Sequence, residues 1–291
     1  MDSRLQEIAA AVAGDAHSGA SEMLSKAAAS ILSLSDEHIA ALPASEWTEF
    51  SMRLHMAKPS IATLFNLANA IMLEAEQGPE GVHGIRRAVE AMMERERRSV
   101  ASIAEMATST IAADWIVTSS YSSTVSAALG SIASRRPLRV TVAESLPGGE
   151  GRQFARKLWD MGIETEVIPD SNVFARMVEA GCALTGADSL TPQGLVNKVG
   201  TRALVEAARS NGRPAYAVCG QSKFAPVALP DMVVTESEAP NGPGERSQLF
   251  ECTPIEGFTG IITEEGAFAP DRLRELLRGL EMASGWSSIG P

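Results

Sequence analysis

The chain has few of the residues that would mark it as secreted, metal-bound or devoted to nucleic acid. It carries three cysteines in 291 residues. Cys182, Cys219 and Cys252 lie far apart and form no C-x-x-C pair. That pattern excludes a disulfide framework and reads as reduced, mostly buried thiols in a cytoplasmic protein. The four histidines (His17, His38, His55 and His83) all fall in the first part of the chain, and there is no G-x-S-x-G. Neither a histidine–cysteine metal site nor a serine hydrolase is therefore expected. Basic residues are outnumbered, 25 Lys and Arg against 36 Asp and Glu, for a net charge of -11. Nucleic acid and anionic membrane would both repel such a surface and are not expected as partners, although a local basic pocket for a small anion remains compatible with it. No apolar run is long enough to cross a bilayer, and "MDSRLQEIAAAVAG" reads as an amphipathic helix rather than a leader.

What is present is an ordinary soluble composition, 45% hydrophobic and 21% charged, long enough for one large or two modest domains. The rhythm changes near residue 110. Before it, apolar residues recur at helical spacing and glycine and proline are sparse. "SDEHIAALP" and "SEWTEFSMRLHMA" open with a serine and acids, as helix N-termini do. "KPSIATLFNLANAIMLEA" places Pro59 at a first helical position, with Ile61, Leu64, Phe65, Ala68, Ile71 and Met72 on one stripe. "GIRRAVEAMMERERRSVASIAEMATSTI" reads as one long helix. After residue 110, strand and helix alternate. "DWIVTS", "LRVTVAE", "IETEVIP", "CALTG", "PAYAVCG" and "FTGIIT" are the strand candidates, which implies an α/β unit with a parallel sheet covered on both faces. The division expected is a helical domain over 1–110 and a sheet domain over 111–291. "ESEAPNGPGERSQ", residues 236–248, reads as a solvated loop or, more sharply, a lid or subunit contact.

Ligands of such sheets gather at the carboxyl ends of the strands, and four groups of residues there could carry chemistry. Gly148, Gly149 and Gly151, between a strand and a helix, could turn N–H groups toward an anion, with Arg152 adding charge, or could simply make a tight turn. Asp188, at the end of "CALTG" and roofed by "LTP", could be desolvated and titrate near neutrality, or could cap the next turn. In "GADSLTPQGLVNKVGT", Asn197 and Lys198 are expected where the next helix starts. There the macrodipole disfavours a cation, so Lys198 needs a nearby anion, either Asp188 or a bound phosphate, or open water. Ser119, Ser120, Tyr121 and Ser122 follow the first strand and could hold a second phosphate or cap a helix.

Taken in order, "KPSIATLFNLANAI", "IVTSSYSSTV", "VTVAESLPGGEGRQFARKL", "GADSLTPQGLVNKVGT", "SKFAP" and "LFECTPIEGFTGIITEEG" resemble one family. It comprises the alpha, beta and delta subunits of translation initiation factor 2B, methylthioribose-1-phosphate isomerase and ribose-1,5-bisphosphate isomerase. The resemblance implies a helical N-terminal domain, a Rossmann-like C-terminal domain that dimerises, and a pocket between them for a phosphorylated sugar or nucleotide. It implies no cofactor. In the isomerases an acid matching Asp188 and a cysteine on the first-strand loop exchange protons, residues matching Asn197 and Lys198 hold the sugar phosphate, and an arginine matching Lys58 reaches in from the helices. Here the cysteine position holds Ser120, and a serine hydroxyl ionises only far above neutral pH without a base. The arginine of "E-S-R-P" is Leu146, beside Glu144. The expectation is an aldose–ketose isomerase with Asp188 as base and Ser120, Tyr121 or a water in place of the thiol. In it Ser119, Ser122, Glu144, Lys58, Arg152, Asn197, Lys198 and the Gly148–Gly151 turn line the sugar-phosphate site. The alternative is a non-catalytic subunit or metabolite sensor.

Overall fold

The computed structural model describes residues 1–15, 18–229, 234–237 and 245–288. Seven helices come first: α1 (Ser3–Gly14), α2 (Ala20–Leu32), α3 (Asp36–Ala41), α4 (Ala44–Ala57), α5 (Ala62–Glu76), α6 (Pro79–Val82) and α7 (Ile85–Thr110). Their starts follow capping chemistry only in part. Ser35 caps α3 by accepting from the His38 N–H, as its sequence suggests. Ser45 does not cap α4, whose cap position is Pro43. Pro59 is not in α5 at all. Lys58–Ser60 form a turn and the helix begins at Ala62, because Ile61 takes the extended cap conformation. The apolar stripe of α5 is buried throughout, and with Leu24, Ile31, Trp47, Phe50 and Leu54 it makes the helical core.

The rest of the chain builds a seven-stranded sheet from β1 (Trp115–Ser119), β2 (Arg139–Ala143), β3 (Glu164–Ile168), β4 (Cys182–Thr185), β7 (Ala215–Val218), β11 (Gly260–Thr263) and β12 (Gly266–Phe268). The order is β12-β11-β7-β4-β1-β2-β3. Every pair is parallel except β11 with β12. The helices α8 (Ser123–Ala133), α9 (Glu150–Asp160), α10 (Val173–Met177), α11 (Thr201–Ser210) and α12 (Pro270–Arg278) belong to this half. The six sequence-read strands are all present, and the class is α/β with a Rossmann-like sheet. Its chain reverses direction across the sheet between β1 and β4, the switch point where ligands bind in such folds.

A second, three-stranded antiparallel sheet, β10 (Phe250–Thr253), β6 (Gly194–Lys198) and β5 (Ser189–Thr191), stands over the ends of the first. Asn197 and Lys198 therefore end a strand, and α11 starts three residues later, at Thr201. The "LTPQG" segment is the hairpin that turns β5 into β6, so Asn197 is held by ladder register opposite Glu251. The two ends of the expected loop at 236–248 fall in β8 (Val234–Ser237) and β9 (Glu245–Gln248), which pair as an antiparallel hairpin; residues 238–244 lie outside the described residues.

Two elements tie helices to sheet. Along α7, Ile85, Val89 and Met92 belong to the helical core, whereas Ile103 and Ala107 pack with Ile116, Val125 and Leu129 of the sheet core. Near the other end of the chain, the Asn69 side chain donates to Glu281 O (3.0 Å) and accepts from the Ala283 N–H and the Trp286 indole N–H, both at 2.9 Å. Ala283 and Trp286 are thereby buried in the helical core.

Candidate functional site

Asp188 lies between β4 and β5, at the switch-point end of the sheet. Its N–H donates to Val196 O at 2.9 Å, which pins the residue against β6. Its carboxylate makes no hydrogen bond or ion pair with any described residue. An Asx turn would have engaged that carboxylate, so Asp188 caps nothing. The residue keeps some accessible surface, but protein encloses its carboxyl. Burial pushes the pKa up, and the charges of Lys223 and then Lys198 pull only part of the way back. Withdrawal from water disfavours the charged form more than the two ammonium groups favour it.

Both lysines are 6% exposed. Lys223, in the turn after β7, donates to Ala187 O at 2.7 Å, and Lys198 donates to Glu150 Oε1 at 2.8 Å. An ammonium has three donors, so each has hydrogen-bonding capacity left. The anion next to Lys198 is thus Glu150, the first residue of α9; Asp188 acts on Lys198 only through charge, and the ammonium is not out in water. Helices and sheet meet here through Ser189, whose hydroxyl donates to Ser60 O (2.6 Å) and accepts from the Ala62 N–H (2.8 Å). That contact holds the Lys58–Ser60 turn against the strand next to Asp188, with Lys58 half-buried at its start.

The first-strand loop and the glycine turn are built for close approach. Ser120 has φ 62° and donates its N–H to Ser145 Oγ at 2.6 Å, and Ser145, itself at φ 64°, receives that bond from the neighbouring strand end. Left-handed backbone at two non-glycine residues is a local cost that the surrounding bonds must hold in place. The Ser119 hydroxyl is buried without a partner. Ser122 caps α8 through the Val125 N–H (3.2 Å). A Cβ on Gly186 would meet Ser122 Oγ at 2.7 Å, so only glycine lets the β4 exit pass the β1 exit this closely.

Several residues grouped by the sequence are turned elsewhere. Tyr121 packs edge-on against Phe154, with ring centroids 5.4 Å apart, and lies 5.2 Å from Lys157 Nζ. Arg152 pairs with Glu144 at 2.6 Å and is largely exposed. Asn197 donates to Thr185 Oγ1 (3.0 Å) and Thr201 Oγ1 (2.9 Å), clamping β4, β6 and α11 together. In the glycine turn, the N–H groups of Gly149, Gly151 and Arg152 donate to Ser145 O, Glu144 O and Gly149 O. They are spent inside the turn rather than offered to an anion. Gly151 is there for packing, since a Cβ would fall 1.9 Å from Ala143 O.

Comparison with known proteins decides the ancestry of this arrangement. The model of the initiation factor 2 subunit family matches residues 19–270. The chain belongs to that family. A translation initiation factor eIF-2B subunit 2-like protein of Pyrococcus horikoshii is 34% identical over 261 residues, covering 87% of this chain and 92% of the relative. A ribose 1,5-bisphosphate isomerase of Archaeoglobus fulgidus is 30% identical over 232 residues, covering 74% and 73%. The crystal structure of the Pyrococcus horikoshii OT3 translation initiation factor eIF-2B superposes with a TM-score of 0.80 at 30% identity, over 94% of this chain and 99% of that one. No described helix is long and apolar enough to cross a membrane.

Within this member of the initiation factor 2 subunit family, two charged groups escaped the sequence reading. Lys223 stands in "SKFAP" with no neighbouring signal of chemistry, yet its charge is the stronger of the two acting on Asp188. Glu150 was hidden by the glycines around it. The signal that could have exposed it is its place as first residue of a helix, where a carboxylate is favoured and can reach a cation across the crevice.

Proposed function

We propose that the region where Asp188, Lys223 and Lys198 converge binds a phosphorylated sugar and that Asp188 moves a proton between its first two carbons, the chemistry of an aldose–ketose isomerase. The observation that carries the reading is the unpartnered Asp188 carboxylate, on a residue that keeps some accessible surface, raised in pKa by burial and set between the charges of Lys223 and Lys198. A base near its own pKa takes a carbon-bound proton and returns it with little loss either way. Asp188 removes the proton from C2 of the open-chain aldose as the electrons flow to the carbonyl oxygen. The same proton, or one from solvent, is returned to C1 of the enediol. With a free aldehyde the accompanying proton transfer between O1 and O2 passes through a hydroxyl of the Ser119–Ser120 loop or through water. Where O1 carries a phosphate, the C2–H electrons form the C1=C2 bond as the ring C1–O4 bond breaks and O4 takes a proton. The enol phosphate is then reprotonated at C1 as O2 loses its proton. Tyr121 is turned away from these transfers. Lys223, Lys198 and Lys58 supply the positive charge that a phosphoester needs. Isomerase relatives support the enzyme reading. A second reading, a ligand-binding subunit without turnover, draws on the initiation-factor relative and on the serine at position 120.

Incubation with ribose 5-phosphate and with ribose 1,5-bisphosphate in deuterated water separates the two. Loss of the C2 proton signal, abolished by Asp188→Asn, supports the isomerase. Saturable binding with no exchange of that proton supports the sensor and overturns the catalytic role of Asp188. A homodimer or higher homo-oligomer is the assembly expected for either reading. Edge strand β3 exposes Val167, and Trp159, Met161, Phe174 and Val178 are 45–60% exposed in the segments on either side of it. Sedimentation of the purified chain as a monomer at micromolar concentration would refute that assembly.

A further inference from the structure

The anion at Lys198 is the protein's own. Glu150 Oε1 sits 2.8 Å from the ammonium. The carboxylate lies flat over Gly148, where a Cβ would meet its Oε1, Cδ and Oε2 at 2.4, 2.6 and 2.7 Å. Its second oxygen, Oε2, is shut off from solvent and has no hydrogen-bond partner. A chance surface ion pair would leave that oxygen in water, where it costs nothing. Here Lys198 is 6% exposed; the Glu150 side chain keeps 38% of its surface, but its Oε2 is turned inward over the glycine turn and is left as an unused acceptor.

We infer that Glu150 sets the charge of the ligand group accepted at Lys198: it lies against that ammonium and opposes a doubly charged group that approaches it. This rests on the sugar-phosphate reading of the cleft and adds a specificity residue to it. A phosphoester above its second pKa brings close to two negative charges and no donor. Against it, Glu150 offers like charge and an oxygen that stays unpaired. A sulfate ester brings one negative charge and meets about half of that repulsion. The site therefore discriminates against a dianion at Lys198 in favour of a singly charged ester.

The test compares two esters of the same sugar, ribose 5-phosphate and ribose 5-sulfate, titrated calorimetrically at pH 8 into the full chain and into Glu150→Gln, Glu150→Ala and Lys198→Met. Thermal melts serve to check that each variant is folded. Removing one like charge at contact range is expected to tighten phosphate-ester binding roughly tenfold in both Glu150 variants, and sulfate-ester binding by only about threefold, because the repulsion scales with the ester's charge. A merely structural role for Glu150 would move both esters by the same factor or weaken the phosphate ester, and either result overturns the inference. The underlying reading fails separately, and the inference with it, if neither ester binds the wild type or the Glu150 variants, or if Lys198→Met leaves both affinities unchanged.

Discussion

Replacing Asp188 by Asn is expected to make the protein more stable at pH 8 while ending proton exchange. The sign follows from the direction of its pKa. Burial raises it above the ordinary value of 3.8 despite the attraction of Lys223 and Lys198. Relative to the unfolded chain, the folded state therefore holds the Asp188 proton to a higher pH, and stability falls as pH rises from the unfolded value through the folded one. Above the folded pKa the penalty is complete; below the unfolded value it is absent. Because both lysines are already included in that balance, losing their attraction does not reverse the sign. Every tenfold by which acidity is weakened costs about 1.4 kcal/mol, and in a chain of this size each such step lowers Tm by about 3 °C. Asparagine has nearly the same shape and no charge to desolvate, so it recovers this energy at pH 8. Urea unfolding of wild type and variant at pH 8, 6.5 and 5 measures the difference, which should shrink steadily as pH falls. An Asn variant less stable than wild type at pH 8 would show that the lysines hold the carboxylate as a structural ion pair, and the case for a poised base would fail.

Three further outcomes follow from the same geometry. Lys223→Met removes the stronger of the two positive charges acting on Asp188, so the acid limb of any proton-exchange profile should move to higher pH; an unmoved limb would separate Lys223 from the reacting group. Asn69→Leu strands the Trp286 indole N–H and the Ala283 N–H, both buried. It should cost about 2–4 kcal/mol, read by urea unfolding, whereas a loss below about 0.5 kcal/mol would mean the segment near residue 286 does not brace the helices. Cys182 and Cys219 are fully buried, and burial pushes both thiols up to about 12. Native protein at pH 8 should therefore alkylate at neither until denaturant is added, and rapid modification of either by iodoacetamide, located by peptide mass, would contradict that packing.

The parallel sheet was legible because its strands are short, apolar and spaced by helices, a pattern that survives whatever the tertiary partners are. The small sheet was not. β5 and β6 are three and five residues long, and β6 gains its third strand only from residues 250–253, more than fifty positions away. Without that partner, "LVNKVGT" reads as the approach to a helix, which is how Lys198 came to be placed at a helix start. The helix boundaries slipped for a related reason. Serine and proline signal a start in general, but α4 begins at Ala44 after Pro43, and the turn at Pro59 is held against Ser189, so that α5 begins at Ala62.

Charge pairing was the least legible layer, and it is the layer on which function turns. Sequence proximity suggested that Asp188 and Lys198 were placed to meet each other, and that Arg152 and the glycine turn were placed to meet a phosphate. Folding instead gives Arg152 to Glu144 and Lys198 to Glu150, and it leaves Asp188 without a contact partner between two ammonium groups. Each alternative was open to a linear reading, because pairs of opposite charge within ten residues are common and only a register across β6 and α9 selects among them. The selection matters. An Asp188 bonded directly to Lys198 would be held ionised and weakly basic, whereas a Lys198 satisfied by Glu150 leaves the enclosed carboxylate free to take a proton from something that enters the cleft.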